Sequence, residues 1–178
     1  RLGVEAVITS DKEVLKAADK VIFPGVGEAE TTMLHLKESG MDRFIKELRQ
    51  PVLGICLGMQ LMCRFSEEGN VDCLGIFDTD VKRFAPRKHE EKVPHMGWNT
   101  LELAGEGRLF KGVPEEPFVY FVHSYYLEAQ EEEIVKAVTW YGTKIHASVE
   151  KGNVFACQFH PEKSSSTGLL MLENFVGL

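Results

Sequence analysis

The spacing of hydrophobic and polar positions changes character halfway along the chain. In the first half, "VEAVIT" (4–9) is a short apolar run that predicts a strand. Helical spacing follows in "DKEVLKAAD" (11–19), with Ser10 or Asp11 as the cap. "KVIFPG" (20–25) predicts a second strand, which Pro24-Gly25 breaks, and 28–48 is helical with an interruption near Ser39-Gly40. An apolar strand, "PVLGIC" (51–56), then runs without a linker into an apolar-periodic helix over 57–65. Strands that alternate with helices imply right-handed crossovers and a parallel sheet. The second half is a series of strands with short connections: "GIFDTDVKRF", "PFVYFVHSYYLE", "IVKAVTWYG", "KIHASVE" and "NVFACQFH". These predict antiparallel additions to the sheet, and "STGLLMLENFVGL" closes the chain as an amphipathic helix. The expected fold is α/β, with an open, mostly parallel central sheet flanked by helices and additional antiparallel strands. Residues 1–178 carry no repeat or Pro/Ser-rich linker, so a single domain is expected. The opening "RLG" reads as the tail of a helix that leads into the first strand.

Composition narrows the function. The 178 residues are 44% hydrophobic and 26% charged, ordinary for a globular domain. A net charge of −7, with no basic run interleaved with aromatics, argues against a nucleic-acid partner. No apolar segment approaches the roughly 20 residues that span a bilayer, so no membrane partner is expected. The four cysteines, Cys56, Cys63, Cys73 and Cys157, show no C-x-x-C spacing. Reduced thiols in a cytoplasmic protein, without a metal, are the simplest reading.

One of these thiols stands at the joint between a strand and a helix. Cys56 is flanked at −2 and +2 by Gly54 and Gly58. A strand that turns sharply into a helix strains the residue at the turn and crowds its neighbours two positions away, which small residues relieve. Such an elbow lifts its side chain above the end of the sheet, where open α/β folds bind ligands. The N-terminus of the following helix would favour the thiolate. A buried structural cysteine between two packing glycines is the competing reading.

A nucleophilic thiol needs a base, and the chain has six histidines. His35 sits among polar helical neighbours and His89 in the charged run "RKHEEK", so both are expected at the surface. His160 ends the alternating strand "VFACQFH" and is followed by Pro161-Glu162. A strand end lies on the sheet rim, where the elbow also lies, and Glu162 could orient the imidazole. A capping His-Pro turn with an exposed glutamate is the plain alternative.

Taken together, "GICLGMQ" around Cys56 and "FHPEKS" around His160 resemble the class I glutamine amidotransferases, with the motifs in that family's order. "FPGVG" (23–27) matches as well, and "PHMGWN" (94–99) is similar to the branch serving histidine biosynthesis. The resemblance runs from Val4 to the end. It implies that L-glutamine is the substrate and that Cys56, His160 and Glu162 are the catalytic triad. Leu57 and Val26 would supply the two oxyanion-hole N–H groups. Gly25, Gly27, Gln60, Ser124 and Tyr125 would bind the substrate, and His123 would belong to the scaffold. Ammonia would pass to a cyclase partner, a (β/α)₈ barrel making imidazole glycerol phosphate and AICAR, with Met96, Trp98 and Lys163 at the interface. Met96 and Trp98 are read as lying in a loop. No cofactor is implied. Family members usually begin with a further strand, a glycine-containing loop and a helix, so the domain is expected to lack them here. Two other classes compete: a free-standing cysteine hydrolase acting on γ-glutamyl bonds, and a catalytically silent binding module.

Overall fold

The computed structural model describes residues 2–86 and 92–178. Arg1 and His89 therefore lie outside the described residues. The chain runs through α1 (Lys12–Ala17), β1 (Val21–Gly25), α2 (Ala29–Ser39), α3 (Met41–Glu47), β2 (Val52–Cys56) and α4 (Leu57–Leu61). Short strands β3 (Phe65–Ser66), β4 (Val71–Asp72) and β5 (Asp80–Arg83) follow, then β6 (His95–Thr100) and β7 (Glu102–Leu103). The last part holds β8 (Phe118–His123), β9 (Tyr125–Glu128), β10 (Val135–Tyr141), β11 (Thr143–Lys151), β12 (Val154–Cys157) and α5 (Ser165–Val176).

Local signals explain the helix ends. Asp11 caps α1 by accepting from the Glu13 and Val14 N–H groups, so Asp11 rather than Ser10 is the cap. Gly40 has φ 68°, the left-handed conformation that ends α2 and at once begins α3.

A six-stranded open sheet has the order β1-β2-β12-β11-β10-β7. β1, β2 and β12 are mutually parallel, whereas β11, β10 and β7 extend the sheet by antiparallel pairing. β2 thus lies at the centre of the parallel part. Successive side chains on it face opposite layers. Val52 joins the core with Met33, Ile45 and Leu61, while Leu53 and Ile55 join that of Phe155, Phe159, Met171 and Phe175 beneath α5.

Four sequence expectations are corrected. "NVFACQFH" is not simply an antiparallel addition: the β11–β12 hairpin brings it back beside β2, where β12 pairs parallel with β2 and antiparallel with β11. Residues 4–9 form no strand: they join no sheet among the described residues, and Val4, Val7 and Ile8 stay exposed. A short apolar run proposes a strand, but only a hydrogen-bonded neighbour makes one. The helix after Cys56 stops at Leu61 rather than Phe65. Its terminal carbonyls are taken by a returning loop: Leu74 N–H donates to Leu61, Phe77 N–H to Met62 and Gly75 N–H to Cys63. Finally, "HMGWNT" is not a loop but strand β6, antiparallel to β8, with His95 opposite His123 and Trp98 opposite Tyr120. Its alternation buries His95 on one face and exposes Met96 and Trp98 on the other.

Candidate active site

Cys56 has φ 53° and ψ −113°. A non-glycine residue held there stores about 1–3 kcal/mol of backbone strain. The flanking glycines are required by space rather than by flexibility. A Cβ on Gly58 would lie 2.0 Å from the Phe23 carbonyl oxygen of β1, and one on Gly54 would lie 2.7 Å from Met62 Sδ. Gly25 is equally confined, 2.2 Å from Gly58 N. Strand β1 therefore clamps the elbow, and the register sets Gly25 beside Cys56. Helix α4 is only five residues long.

β12 runs parallel to β2, with Cys157 opposite Ile55. The chain beyond it, Gln158-Phe159-His160, therefore reaches the same rim as Cys56. His160 N–H donates to the Tyr120 carbonyl at 2.9 Å, and Ser164 Oγ donates to the His160 carbonyl at 2.6 Å. Both anchor the backbone of the histidine. His160 Nδ1–H donates to Glu162 Oε1 at 2.7 Å, within a one-turn 3₁₀ segment, Pro161–Lys163. That bond makes Nε2 the reactive nitrogen. Nε2 is buried and has no partner of hydrogen-bond geometry among the described residues. Cys56, first, and Glu162, second, raise the His160 pKa from 6.5 to about 9 against the effect of burial. For Glu162 burial works upward, but the His160 hydrogen bond and charge prevail and lower its pKa.

The remaining candidate residues divide. Leu57 is the first residue of α4, so its N–H has no helical acceptor. Val26 follows β1 directly and its side chain is 88% exposed, while Gly27 has φ 99°. Leu57 follows the thiol in the chain, and Val26 follows Gly25, the residue opposite Cys56 in the β1–β2 register. Gln60 is buried: its Nε2 donates to the Tyr125 carbonyl at 3.1 Å and to Gln158 Oε1 at 2.9 Å. The Ser124 carbonyl accepts from Phe84 N–H at 3.1 Å. The Tyr125 carbonyl accepts from both Gln60 and His123, so its two lone pairs are filled and it is not free to meet a substrate ammonium. Met96 and Trp98 are exposed, Trp98 stacks on Phe118 at 5.5 Å, and Lys163 Nζ lies 5.9 Å from the Tyr120 ring. The structure thus gathers the three interface candidates on one face. His35 is at the surface, as expected, with its side chain 73% exposed.

Sequence reasoning missed Gln158. It is fully buried, and its Nε2 lies 3.7 Å from Cys56 Sγ. The available signal was a polar residue at an otherwise apolar inward position of "VFACQFH".

Acyl transfer from an amide asks for a thiol poised to attack and an imidazolium able to hand its proton to the leaving nitrogen. The class of protein that this fold and rim define is therefore a triad-type amide hydrolase. The sequence model of the family described as glutamine amidotransferase class-I matches residues 3–177, and the chain belongs to that family. Among curated relatives, imidazole glycerol phosphate synthase subunit HisH of Bacteroides fragilis (strain YCH46) is 74% identical, covering 100% of this chain and 89% of the relative. Imidazole glycerol phosphate synthase subunit HisH 1 of Methanococcus maripaludis is 42% identical over 97% of this chain and 87% of its own length. A crystal structure of a glutamine amidotransferase superposes with a TM-score of 0.71 at 24% identity, covering 99% of this chain and 89% of that one; it shows the shared fold.

Two linked outcomes are expected at the triad. His160 is protonated below about pH 9 and loses its proton as the pH rises through that value. The kcat/KM for amide hydrolysis should therefore fall on the alkaline side near pH 9, where the acid for the leaving nitrogen disappears. Glu162→Gln removes a cause of the raised value, so this limb should move to lower pH. Turnover should drop roughly tenfold, a fraction of the 10²–10⁴ that general acid–base catalysis supplies, with KM little changed. A pH series of both forms checks this, and a pure KM effect would mean that another acid orients His160.

Proposed function

We infer that this chain is the glutaminase of a synthase of histidine biosynthesis, hydrolysing L-glutamine to glutamate and ammonia. The observation that carries the reading is Cys56, strained on its elbow, beside an imidazole that its interactions with Cys56 and Glu162 keep protonated. The curated relatives bear the name of imidazole glycerol phosphate synthase subunits, which supports the choice of pathway.

Cys56 attacks the side-chain carbonyl carbon of glutamine, and the developing oxyanion is met by the N–H groups of Leu57 and Val26. His160 Nε2–H protonates the nitrogen as the C–N bond breaks, which leaves a thioester and free ammonia. The now neutral His160 takes a proton from water, hydroxide adds to the thioester, and glutamate leaves with the thiolate restored. Gly25, Gly27 and Gln60 shape the pocket, and the Ser124–Tyr125 peptide holds the α-amino and α-carboxylate end of the substrate.

Ammonia released to water is lost to the synthase, so the chain works docked on a cyclase subunit, a (β/α)₈ barrel by family likeness. Met96 and Trp98, 62% and 45% exposed, supply the apolar contact, and Lys163 reaches an acidic group of the partner. Four free thiols suit a cytoplasmic setting. Coupled assay of glutamate and ammonia tests the reading. Release from glutamine, with Cys56 labelled by a glutamine-like electrophile, is expected. Turnover of γ-glutamyl peptides in preference to glutamine would instead favour a free-standing hydrolase.

A further inference from the structure

Two hydrogen-bonded chains of side chains meet at one backbone carbonyl behind the thiol. The first can be assigned atom by atom. The Tyr125 carbonyl only accepts, so the His123 Nδ1 at 2.7 Å carries the proton. His123 is neutral, because burial foremost pushes its pKa down to about 3, so its Nε2 must accept. His95 Nδ1, 2.9 Å away, therefore donates. His95 is neutral as well, lowered to about 4 by burial, and its own Nε2 accepts from Asn99 Nδ2 at 3.4 Å. Asn99 Nδ2 also donates to the Trp140 carbonyl at 3.0 Å. Every proton on the path from β6 to Tyr125 thus points in one direction.

The second chain is equally determined. Gln60 Nε2 spends its two hydrogens on the Tyr125 carbonyl and on Gln158 Oε1. That fixes the Gln158 amide with its nitrogen toward Cys56 Sγ. A buried polar network in which each donor has an assigned acceptor rigidifies its surroundings, and a break leaves several groups unpaired at once.

We propose that His95 and His123 are positioning residues of the glutaminase: their one-way hydrogen-bond chain locks the Tyr125 carbonyl, which through the shared Tyr125 Cα fixes the adjoining Ser124–Tyr125 peptide that receives glutamine, and it also holds the Gln60–Gln158 pair behind the thiol. The proposal rests on the glutaminase reading and on the assignment of the Ser124–Tyr125 peptide to the substrate. Neither histidine touches the reacting atoms. His123 holds the Tyr125 carbonyl, in the peptide next to it, and His95 sets the His123 tautomer.

The test uses the chain assembled with its synthase partner and steady-state ammonia release from glutamine. His123→Leu fills the site but cannot donate to Tyr125, whereas His123→Asn places an amide N–H near the former Nδ1. His123→Leu should raise KM for glutamine about tenfold or more, the scale of one buried hydrogen bond left unmade, with kcat nearly unaltered. His123→Asn should restore most of the affinity. A packing role predicts the reverse order, because leucine suits an apolar site better than a buried amide, and that order would overturn the proposal. His95→Phe gives a second reading should His123→Leu fail to fold. The ring of His95 stacks on Phe121 at 4.7 Å and Tyr141 at 4.0 Å, so phenylalanine keeps the packing and loses only the hydrogen bonds. It too should raise KM, and an unchanged KM rejects the relay. Wild-type complex that releases no ammonia from glutamine would sink the glutaminase reading itself. An active wild type whose variants keep their KM rejects the relay alone.

Discussion

Cys56→Ala is expected to abolish glutamine hydrolysis, by a factor on the order of 10⁵–10⁶ as for other removed nucleophiles, while the folded structure persists. No other described thiol can stand in: Cys157, one strand away, is fully buried and its pKa is pushed well above the ordinary value, first by burial. Alanine keeps a Cβ at φ 53°, so it leaves the elbow's strain where it was. Cys56→Gly, equally inactive, would relieve up to about 1–3 kcal/mol of that strain. Against this stands about 0.5–1 kcal/mol from the freer unfolded chain, so the glycine variant should be the more stable of the two in denaturant melts. Supplied with ammonium, a synthase assembled with either variant should still make product, because the thiol only generates ammonia. Residual glutamine turnover by Cys56→Ala would reject Cys56 as the nucleophile.

The second large effect is expected from docking. The peptide that would supply the Val26 oxyanion donor leaves β1 at Gly25, beside the clamped elbow, and Val26 itself is almost fully exposed. Gly25 is held against the elbow, but Gly27 holds φ 99° with open space where a Cβ would stand, so nothing on that side opposes rotation of the loop's peptides. The loop can therefore exchange donor-in and donor-out states at small cost, and a partner that contacts this rim can bias it. Lys163 is joined to Glu162 by one peptide bond and lies over Tyr120, which Trp98 meets edge-on at 6.0 Å. Glutaminase turnover of the chain alone should be slow. It should rise roughly 30-fold or more in the complex loaded with its acceptor substrate, equivalent to about 2 kcal/mol of coupling. Trp98→Ala combined with Lys163→Ala should remove most of that gain while leaving the slow basal rate. Equal turnover in every state, or full activation of the double variant, would reject this account of the loop.

Much of the fold's plan is visible along the chain because it rests on short-range constraints. Asp11 and Gly40 mark helix ends through their own side chain or lack of one. The change from helix-linked strands to close-set strands marks where antiparallel pairing enters, although β12, in the close-set half, returns to pair parallel with β2. Two glycines at −2 and +2 announce an elbow because a strand-to-helix turn crowds those positions in any such joint, although here the atom that crowds Gly58 belongs to β1. His160 and Glu162 are two residues apart, so their pairing too is a local matter.

The remainder was decided only by tertiary structure, because its partners are far apart in sequence. Residues 4–9 have a strand's apolar run but no pairing neighbour among the described residues, and α4 ends where a loop more than ten residues downstream takes its carbonyls. "HMGWNT" becomes a strand because β8 lies beside it, which turns a loop-like motif into one buried and one exposed face. Gln60 meets Gln158 across 98 positions, and His95 meets His123 across 28. No local rule distinguishes such residues from ordinary surface or strand polar groups. By itself the sequence determined which thiol stands at the turn and which imidazole has a carboxylate beside it. The folded chain determined what surrounds them, since a buried polar side chain is defined by the partner that satisfies it and not by its neighbours in sequence.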